Sequence, residues 1–286
     1  MSKYREIGPD IVRIVAFMSV PAIHFFLNSG FYSAPVSGFK MYEMVIVRTL
    51  FMICVPLFLL LSGYLLSRKE IPLEKKAIVS YYARLQKILI TYIIATIGII
   101  LFKQFYIHES IGIKQGILNI LGYNQYSWYI NMYIGLFLIS PFLNAIWRMI
   151  NKKENARFLV IVLAFLTVIP SILNIYDLNT PGALLRPGLS NTYNTIVPSW
   201  WQSVYPVTYY YIGAYINKYV NVKQLKIWKL IILLIVAVIG FGIFNTWRSY
   251  SVIFMFGPWC DWGGFQNTID SVIVFLLIYR FVNAFV

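Results

Sequence analysis

The sequence predicts an all-α protein, a polytopic membrane bundle of about eight transmembrane helices. Hydrophobic residues make up 59% of the 286 residues and charged residues only 12%, about half the charged share of an ordinary soluble domain. Eight apolar segments are each long enough to cross a bilayer core as a helix of about 20 residues. They lie at 10–28, 42–66, 86–106, 126–148, 157–176, 201–220, 227–246 and 266–286. No linker divides them, so we expect one domain over residues 1–286.

The basic residues set the expected orientation. The net charge of +14 could indicate nucleic-acid binding, but the cations cluster in short loops between apolar segments. With the N-terminus in the cytoplasm, 18 of the 24 Lys and Arg side chains fall inside. The six outside are Lys40, Arg48, Lys103, Lys114, Arg186 and Arg248. Cytoplasmic loops carry such an excess of cations, so we expect both termini inside, the lipid bilayer as a partner and no nucleic acid.

The first apolar segment carries three ionisable residues. Asp10 and Arg13 are spaced to pair on one helix face. His24 follows Arg13 by eleven residues, which in an α-helix is about 16 Å of rise and about 20° of net rotation. Ionisable groups within a span are costly and are functional candidates by default. The alternative is that Asp10 and Arg13 lie among lipid headgroups and that His24 is an interfacial residue.

The second segment ends in VPLFLLLSGYLLSRK, residues 55–69. Ser62 and Gly63 are small enough to allow close helix packing. Arg68 is expected at the cytoplasmic end, and Arg48 lies further out, about four turns from Gly63. An arginine at that depth either extends to the outer surface or faces a polar interior. Glu43, five residues earlier, is its candidate partner.

Aromatic residues and one loop mark the expected outer side. Trp128, Tyr129 and Trp259 fit an interfacial aromatic belt, with a sugar-stacking platform as the alternative for the two tryptophans. The loop 177–200, whose only base is Arg186, could cover an acceptor site. Cys54 and Cys260 lack metal-ligand spacing. We therefore predict no metal and no disulfide framework.

These motifs, taken in order, resemble the acyltransferase-3 family of integral-membrane O-acyltransferases. The resemblance rests on Asp10, Arg13 and His24, on the segment 55–69, on SWYINMYIGLFLISPFLN at 127–144, and more weakly on YYYIGAYINKY at 209–219. The family commonly has ten helices, and its closing segment is not visible before Val286. The resemblance therefore suggests a short member or a chain lacking C-terminal helices. Many relatives have histidine where this chain has Tyr126-Ser127-Trp128.

The resemblance implies acetyl transfer from cytoplasmic acetyl-CoA, a substrate rather than a bound cofactor, to a hydroxyl of a cell-envelope or exported polysaccharide. Phosphates of acyl-CoA suit the basic side chains of Arg13 and Arg68, with Asp10 beside Arg13. His24 is the candidate general base or nucleophile. The expected acceptor side comprises Glu43, Arg48, Trp128 and Tyr129. The expected location is a bacterial inner membrane.

Two other functions stay open at this point. A transporter of a lipid or glycan would also place charges inside the membrane, although the repeated halves common in transporters are not visible here. The chain could also be the membrane module of a larger enzyme, such as an amino-acid racemase fusion. The sequence does not define the acceptor, the acyl group, the choice between general base and acyl-enzyme, or the oligomeric state.

Overall fold

The computed structural model describes residues 6–121, 128–190 and 192–285, and it is helical. In these ranges it has twelve α-helices and two isolated β-bridges. The helices are α1 Ile7–Asn28, α2 Phe39–Phe51, α3 Cys54–Leu66, α4 Lys75–Tyr82, α5 Leu85–Phe105, α6 Ile113–Leu121, α7 Trp128–Met149, α8 Lys153–Thr167, α9 Pro170–Leu173, α10 Tyr205–Tyr219, α11 Ile227–Arg248 and α12 Phe265–Phe285.

Seven helical segments of the described ranges are long and apolar enough to cross a membrane, which confirms the predicted fold class. They are Ile7–Asn28, Phe39–Leu66, Lys75–Phe105, Trp128–Met149, Lys153–Leu173, Ile227–Arg248 and Pro258–Ala284. The predicted segment at 201–220 differs. It forms α10, whose 15 residues extend about 22 Å, less than the thickness of a bilayer core of about 30 Å.

Two of the seven segments are interrupted by proline. α2 and α3 are separated at Met52 and Ile53, four and three residues before Pro56. Since Pro56 has no N–H to donate to the carbonyl of Met52, the helical ladder breaks there and restarts at Cys54. Pro170 likewise begins the short helix α9 after α8 has ended at Thr167.

The chain divides into two compact units. The first comprises residues Met1–Leu65 and Asn151–Val286, and the second comprises Leu66–Ile150. The expectation of one acyltransferase-type domain over the whole chain stays a prediction.

Within the first unit, α3 and α10 approach each other through two glycines. A Cβ atom added to Gly63 would overlap the carbonyl oxygen of Tyr210, and one added to Gly213 would overlap that of Leu60. Each glycine therefore lies against the backbone of the facing helix. The small residues Ser62 and Gly63 predicted close packing, and the structure confirms it for Gly63.

α10 joins the two ends of the first unit in spite of its length. At one end the loops after α1, α9 and α11 meet: the N–H of Val36 donates to the carbonyl of Val252 at 2.8 Å. At the other end Arg280 Nε, near the end of α12, donates to the carbonyl of Leu225 at 2.7 Å. α10 begins after a 3₁₀ turn at the first end, Gln202–Val204, and ends before one at the second, Val222–Gln224. It thus connects the two ends of the first unit, although it is shorter than the seven candidate spans.

The second unit contains α4 to α7. Tyr81 of α4 stacks on Phe137 of α7, with ring centroids 4.4 Å apart. The Nδ2 amide of Asn144 donates to the carbonyls of Leu66 and Lys69, at 2.9 and 2.6 Å, and so satisfies two acceptors of the connection that precedes α4.

We expect Gly63→Ala and Gly213→Ala each to destabilise the protein by about 1–3 kcal/mol, the usual cost of overpacking. The added methyl group must displace backbone rather than a side chain. The measurement is the unfolding temperature in detergent, together with the fraction that stays monodisperse on size-exclusion chromatography.

Gly240→Ala is the matched control, because nothing lies within 4 Å of a Cβ atom at Gly240 in α11. It should be neutral or slightly stabilising, since alanine favours the helix over glycine. Equal effects of all three substitutions would contradict the close contact between α3 and α10.

Candidate functional site

One face of α1 carries the predicted ion pair. α1 runs without interruption from Ile7 to Asn28 and includes Pro21. Arg13 Nη1 lies 2.7 Å from Asp10 Oδ1, and the Arg13 side chain is 51% exposed. The pairing of these two residues, predicted from their spacing, is confirmed.

His24 lies on the same face of α1 as Arg13, because the helix between them is continuous and eleven residues return to nearly the same direction. The imidazole is exposed, and within the described ranges no hydrogen bond to it is found. A different face of the helix, about a third of a turn away, packs against the rest of the unit through Gly8, Pro9, Val12, Ala16, Ser19, Ile23 and Phe26. α1 therefore separates a packing face from a face that carries ionisable groups.

Arg48 is fully buried, at 0% exposure, and it is not paired with Glu43. Its Nε donates to the hydroxyl of Tyr32 at 2.8 Å. Its Cζ lies 4.5 Å from the ring centroid of Phe254 and 5.0 Å from that of Phe256. Both Nη atoms are buried and have no hydrogen-bond partner among the described residues.

The expected partnership of Glu43 with Arg48 is therefore wrong. Five residues of helix place the two side chains about 140° apart, so they leave α2 in different directions. Glu43 is exposed and lines a separate cavity between α1 and α2 with Lys40, Phe25 and Phe26.

Arg248 is a second buried arginine, which the sequence analysis counted only for topology. At the end of α11 its Nη1 donates to the carbonyl of Ile175 at 2.7 Å. Its Cζ lies 4.1 Å from the ring centroid of Trp259 and 5.2 Å from that of Tyr193. Trp259 is 0% exposed, so the suggestion that it offers a sugar-stacking platform is wrong.

A polar network inside the first unit also escaped the sequence analysis. The Nδ2 of Asn245 donates to Thr49 Oγ1 at 3.1 Å and to Gln266 Oε1 at 2.9 Å. One turn along α12, the carboxyl of Asp270 is fully buried, and neither of its oxygens has a hydrogen-bond partner in the described part of the chain. The signal that could have found it is the polar pair at 266 and 270, on one face of an apolar helix.

A cavity of about 380 Å³ with a mixed polar and apolar lining lies among the loops of the first unit. Asp261, Tyr205, Gln202 and Ser203 contribute carboxylate, hydroxyl and amide groups to its wall, and Phe256 adds an aromatic ring. One oxygen of Asp261 accepts the N–H of Trp262 at 2.7 Å. Such a lining suits a ligand with several hydroxyl groups.

The remaining predicted site residues belong to the second unit. Trp128 begins α7 and is exposed, and its ring meets that of Tyr129 edge-on with centroids 6.3 Å apart. Arg68 follows α3 and is exposed. The structure thus brings Arg13 together with Asp10, places His24 on their face, and gives Arg48 a different environment from that expected.

A comparison with family models bears on this arrangement. The model described as an acyltransferase domain, that of the acyltransferase-3 family, matches residues 6–284. The chain belongs to the acyltransferase-3 family. Searches of curated proteins and of solved structures gave no match. The family assignment agrees with the motifs on α1, α3, α7 and α10.

In this acyltransferase-3 protein the loop expected to cover an acceptor site is anchored at Asp177. Its Oδ1 accepts the N–H of Asn179 at 2.8 Å, and its Oδ2 accepts the hydroxyls of Thr180 at 2.5 Å and Thr192 at 3.1 Å. Hydrogen bonds from Ser190, Thr180 and the backbone N–H of Asn179 hold the pKa of Asp177 well below its usual range. The loop is therefore folded around an ionised carboxylate.

We expect the protein to lose stability in acid through Asp177. Because its pKa in the folded state lies below the unfolded value of about 3.9, the stabilisation is complete above that value and is lost as the pH falls below it. The measurement is the unfolding temperature in detergent between about pH 6 and about pH 3.

Asp177→Asn should flatten this pH dependence, since the amide does not titrate, and should lower the unfolding temperature near neutral pH. Glu154→Gln, at an exposed position in the first turn of α8, serves as the control and should keep the wild-type profile. An Asp177→Asn profile that parallels wild type in acid would contradict the role of this carboxylate.

Proposed function

We propose that the protein transfers an acetyl group from cytoplasmic acetyl-CoA to a hydroxyl of an extracytoplasmic cell-envelope or exported polysaccharide in bacteria. The observation that carries the proposal is the exposed face of α1, where the Asp10–Arg13 ion pair and His24 follow one another on a single continuous helix. Membership of the acyltransferase-3 family supports acyl transfer as the reaction class.

Arg13 is suited to hold the donor. Its guanidinium has five N–H donors, of which Nη1 contacts Asp10, and its side chain is half exposed. Guanidinium groups bind phosphate through paired, charge-assisted hydrogen bonds. Asp10 fixes the direction of the guanidinium while further donors face outward. The anionic nucleotide end of acyl-CoA would therefore bind at Arg13, and Arg68 stays a candidate donor residue on the grounds of the sequence alone.

His24 is suited to the chemical step. It lies about 16 Å along the helix from Arg13, a distance that an extended pantetheine arm spans. A sugar hydroxyl attacks the thioester carbonyl, the new ester C–O bond forms, and the C–S bond to coenzyme A breaks. His24 accepts the hydroxyl proton as the bond forms and returns it to the departing thiolate, the general acid–base role that histidine most often has.

The alternative route passes through an acyl group carried on His24. Both routes require the same imidazole, and they differ in what happens without acceptor. Incubation with radiolabelled acetyl-CoA alone leaves label on the protein in the covalent route and none in the general-base route.

We expect His24→Gln to lower acetylation by about 10²–10⁴-fold, the usual contribution of general acid–base catalysis. Glutamine keeps a hydrogen-bonding side chain at an exposed position but does not take up the proton. The measurement is the acetyl content of envelope glycan, normalised to protein in the membrane fraction.

The control uses His108, the other histidine of the chain. His108 has a left-handed backbone, with φ at 58°, which asparagine tolerates better than most residues. His108→Asn should retain activity. Substantial acetylation by His24→Gln would reduce His24 to a positioning residue and would favour a transporter of the glycan.

The donor site has its own test. Arg13→Gln and Arg68→Gln should each raise the KM for acetyl-CoA by roughly ten- to a hundredfold, because a hydrogen bond to a charged group is worth about 1.5–3 kcal/mol. Initial rates in membrane vesicles at varied donor concentration give the KM. Arg157→Gln, at an exposed position of α8, is the charge-matched control. An unchanged KM in all three variants would place the donor elsewhere.

A further inference from the structure

One cavity of the first unit is lined by no residue of α1. It has a volume of about 790 Å³, within the range of ordinary ligand sites. Tyr42 and Ile46 of α2 form one wall, and Ile243 and Trp247 of α11 form another. The loop segments 185–189 and 250–252 close its end.

The walls of this cavity are held by specific contacts. Gly242 lets α11 approach α2, since a Cβ atom there would lie 2.5 Å from Ile46 Cγ1. The indole N–H of Trp247 donates to the carbonyl of Leu185 at 3.2 Å. The N–H of Ser251 donates to the carbonyl of Val36 at 3.1 Å. The cavity is thus part of the fold, built from two spans and three loops.

The lining is apolar with a single charged side chain. Arg186 is exposed and lines the cavity at its loop end. No acidic residue belongs to the lining, and Glu43 of α2 lines a different cavity. The site therefore combines a hydrophobic trough with one cation at its end, which is complementary to an anionic amphiphile.

The position of the cavity matches this chemistry. Ile243 is 61% exposed in the second half of the candidate span α11, and Trp247 and Tyr250 add amphipathic rings of the kind enriched at membrane interfaces. Arg186 lies in the loop beyond the helix end. An acyl or isoprenoid chain would lie along α2 and α11 while its charged headgroup reached Arg186.

We propose that this cavity is a binding site for an anionic lipid, held by its apolar chain against α2 and α11 and by its phosphate at Arg186. A neutral lipid would leave Arg186 without a counter-charge in the cavity. A free phosphate would leave the apolar walls without a contact. The site is independent of acetyl transfer, and its test does not use that activity.

The test uses fluorescence quenching in phosphatidylcholine vesicles that contain a minor fraction of brominated lipid. The brominated lipid is either phosphatidylglycerol or phosphatidylcholine with the same chains. The contribution of Trp247 is the difference between each protein and its Trp247→Phe counterpart, since the chain has 8 tryptophans. We expect brominated phosphatidylglycerol to quench this contribution several-fold more strongly than brominated phosphatidylcholine.

Arg186→Gln should lower the apparent affinity for phosphatidylglycerol by about ten- to a hundredfold, the range for losing a charge-assisted contact. Arg157→Gln should leave it unchanged. Equal quenching by the two lipids, or quenching that Arg186→Gln does not alter, would overturn the proposal.

Native mass spectrometry in detergent gives a second measurement that does not depend on Trp247. Wild-type protein should retain phosphatidylglycerol, and Arg186→Gln should lose it. Displacement of the lipid by inorganic phosphate would show that the apolar walls contribute nothing, and it would overturn the proposal as well.

Discussion

The burial of two guanidinium groups constrains one whole end of the first unit. A charge removed from water costs several kcal/mol unless other groups compensate, and Arg48 and Arg248 are both at most 2% exposed. The compensation comes from the loops: Tyr32, Phe254 and Phe256 enclose Arg48, while Ile175 and Trp259 enclose Arg248. The loops after α1, α9 and α11 are thereby drawn onto the ends of the spans. Two cavities are lined by side chains of those loops, so their shapes depend on the same buried cations.

These contacts between residues distant in sequence explain which features the sequence predicted and which it did not. The spans follow from local hydropathy, and the pairing of Asp10 with Arg13 follows from helix geometry, so both were accessible from a few neighbouring residues. The contact of Arg48 with Phe254 could not be predicted in this way. Phe254 lies about two hundred positions further along the chain, and no local pattern connects the two residues. The burial of Trp259 was missed for the same reason, since its ring contacts Tyr193, Phe244 and Arg248, which are distant or unrelated in the local sequence pattern. The orientation in the membrane stays a prediction from loop charge.

The two glycine contacts show an intermediate case. Ser62 and Gly63 indicate a close helix approach, but they do not identify the partner helix. The structure supplies it: α10, whose Gly213 faces the backbone of Leu60. This mutual contact explains why the motif segments 55–69 and 209–219 both contain a glycine. Each helix needs a residue without a side chain at the point where the backbone of the other helix passes. It also explains how a helix of 15 residues holds its place among longer spans.

The proposed site on α1 differs from these buried contacts because Arg13 and His24 are exposed. Its ionisable groups lie on an exposed face, which the proposed function assigns to the substrates, while the buried face holds the helix in the unit. His24 is four residues from the end of α1 at Asn28, about 6 Å of helix rise, and Arg13 is six residues from the other end, about 9 Å. Under the proposed function, with both ends of α1 at the membrane boundaries, the acceptor hydroxyl would travel only a short way inward and the donor arm would cover most of the crossing. A polysaccharide is bulky and strongly hydrated, whereas the pantetheine arm is slender. In this proposal the arm would therefore make the deeper entry, and the larger desolvation cost of the polysaccharide would be avoided.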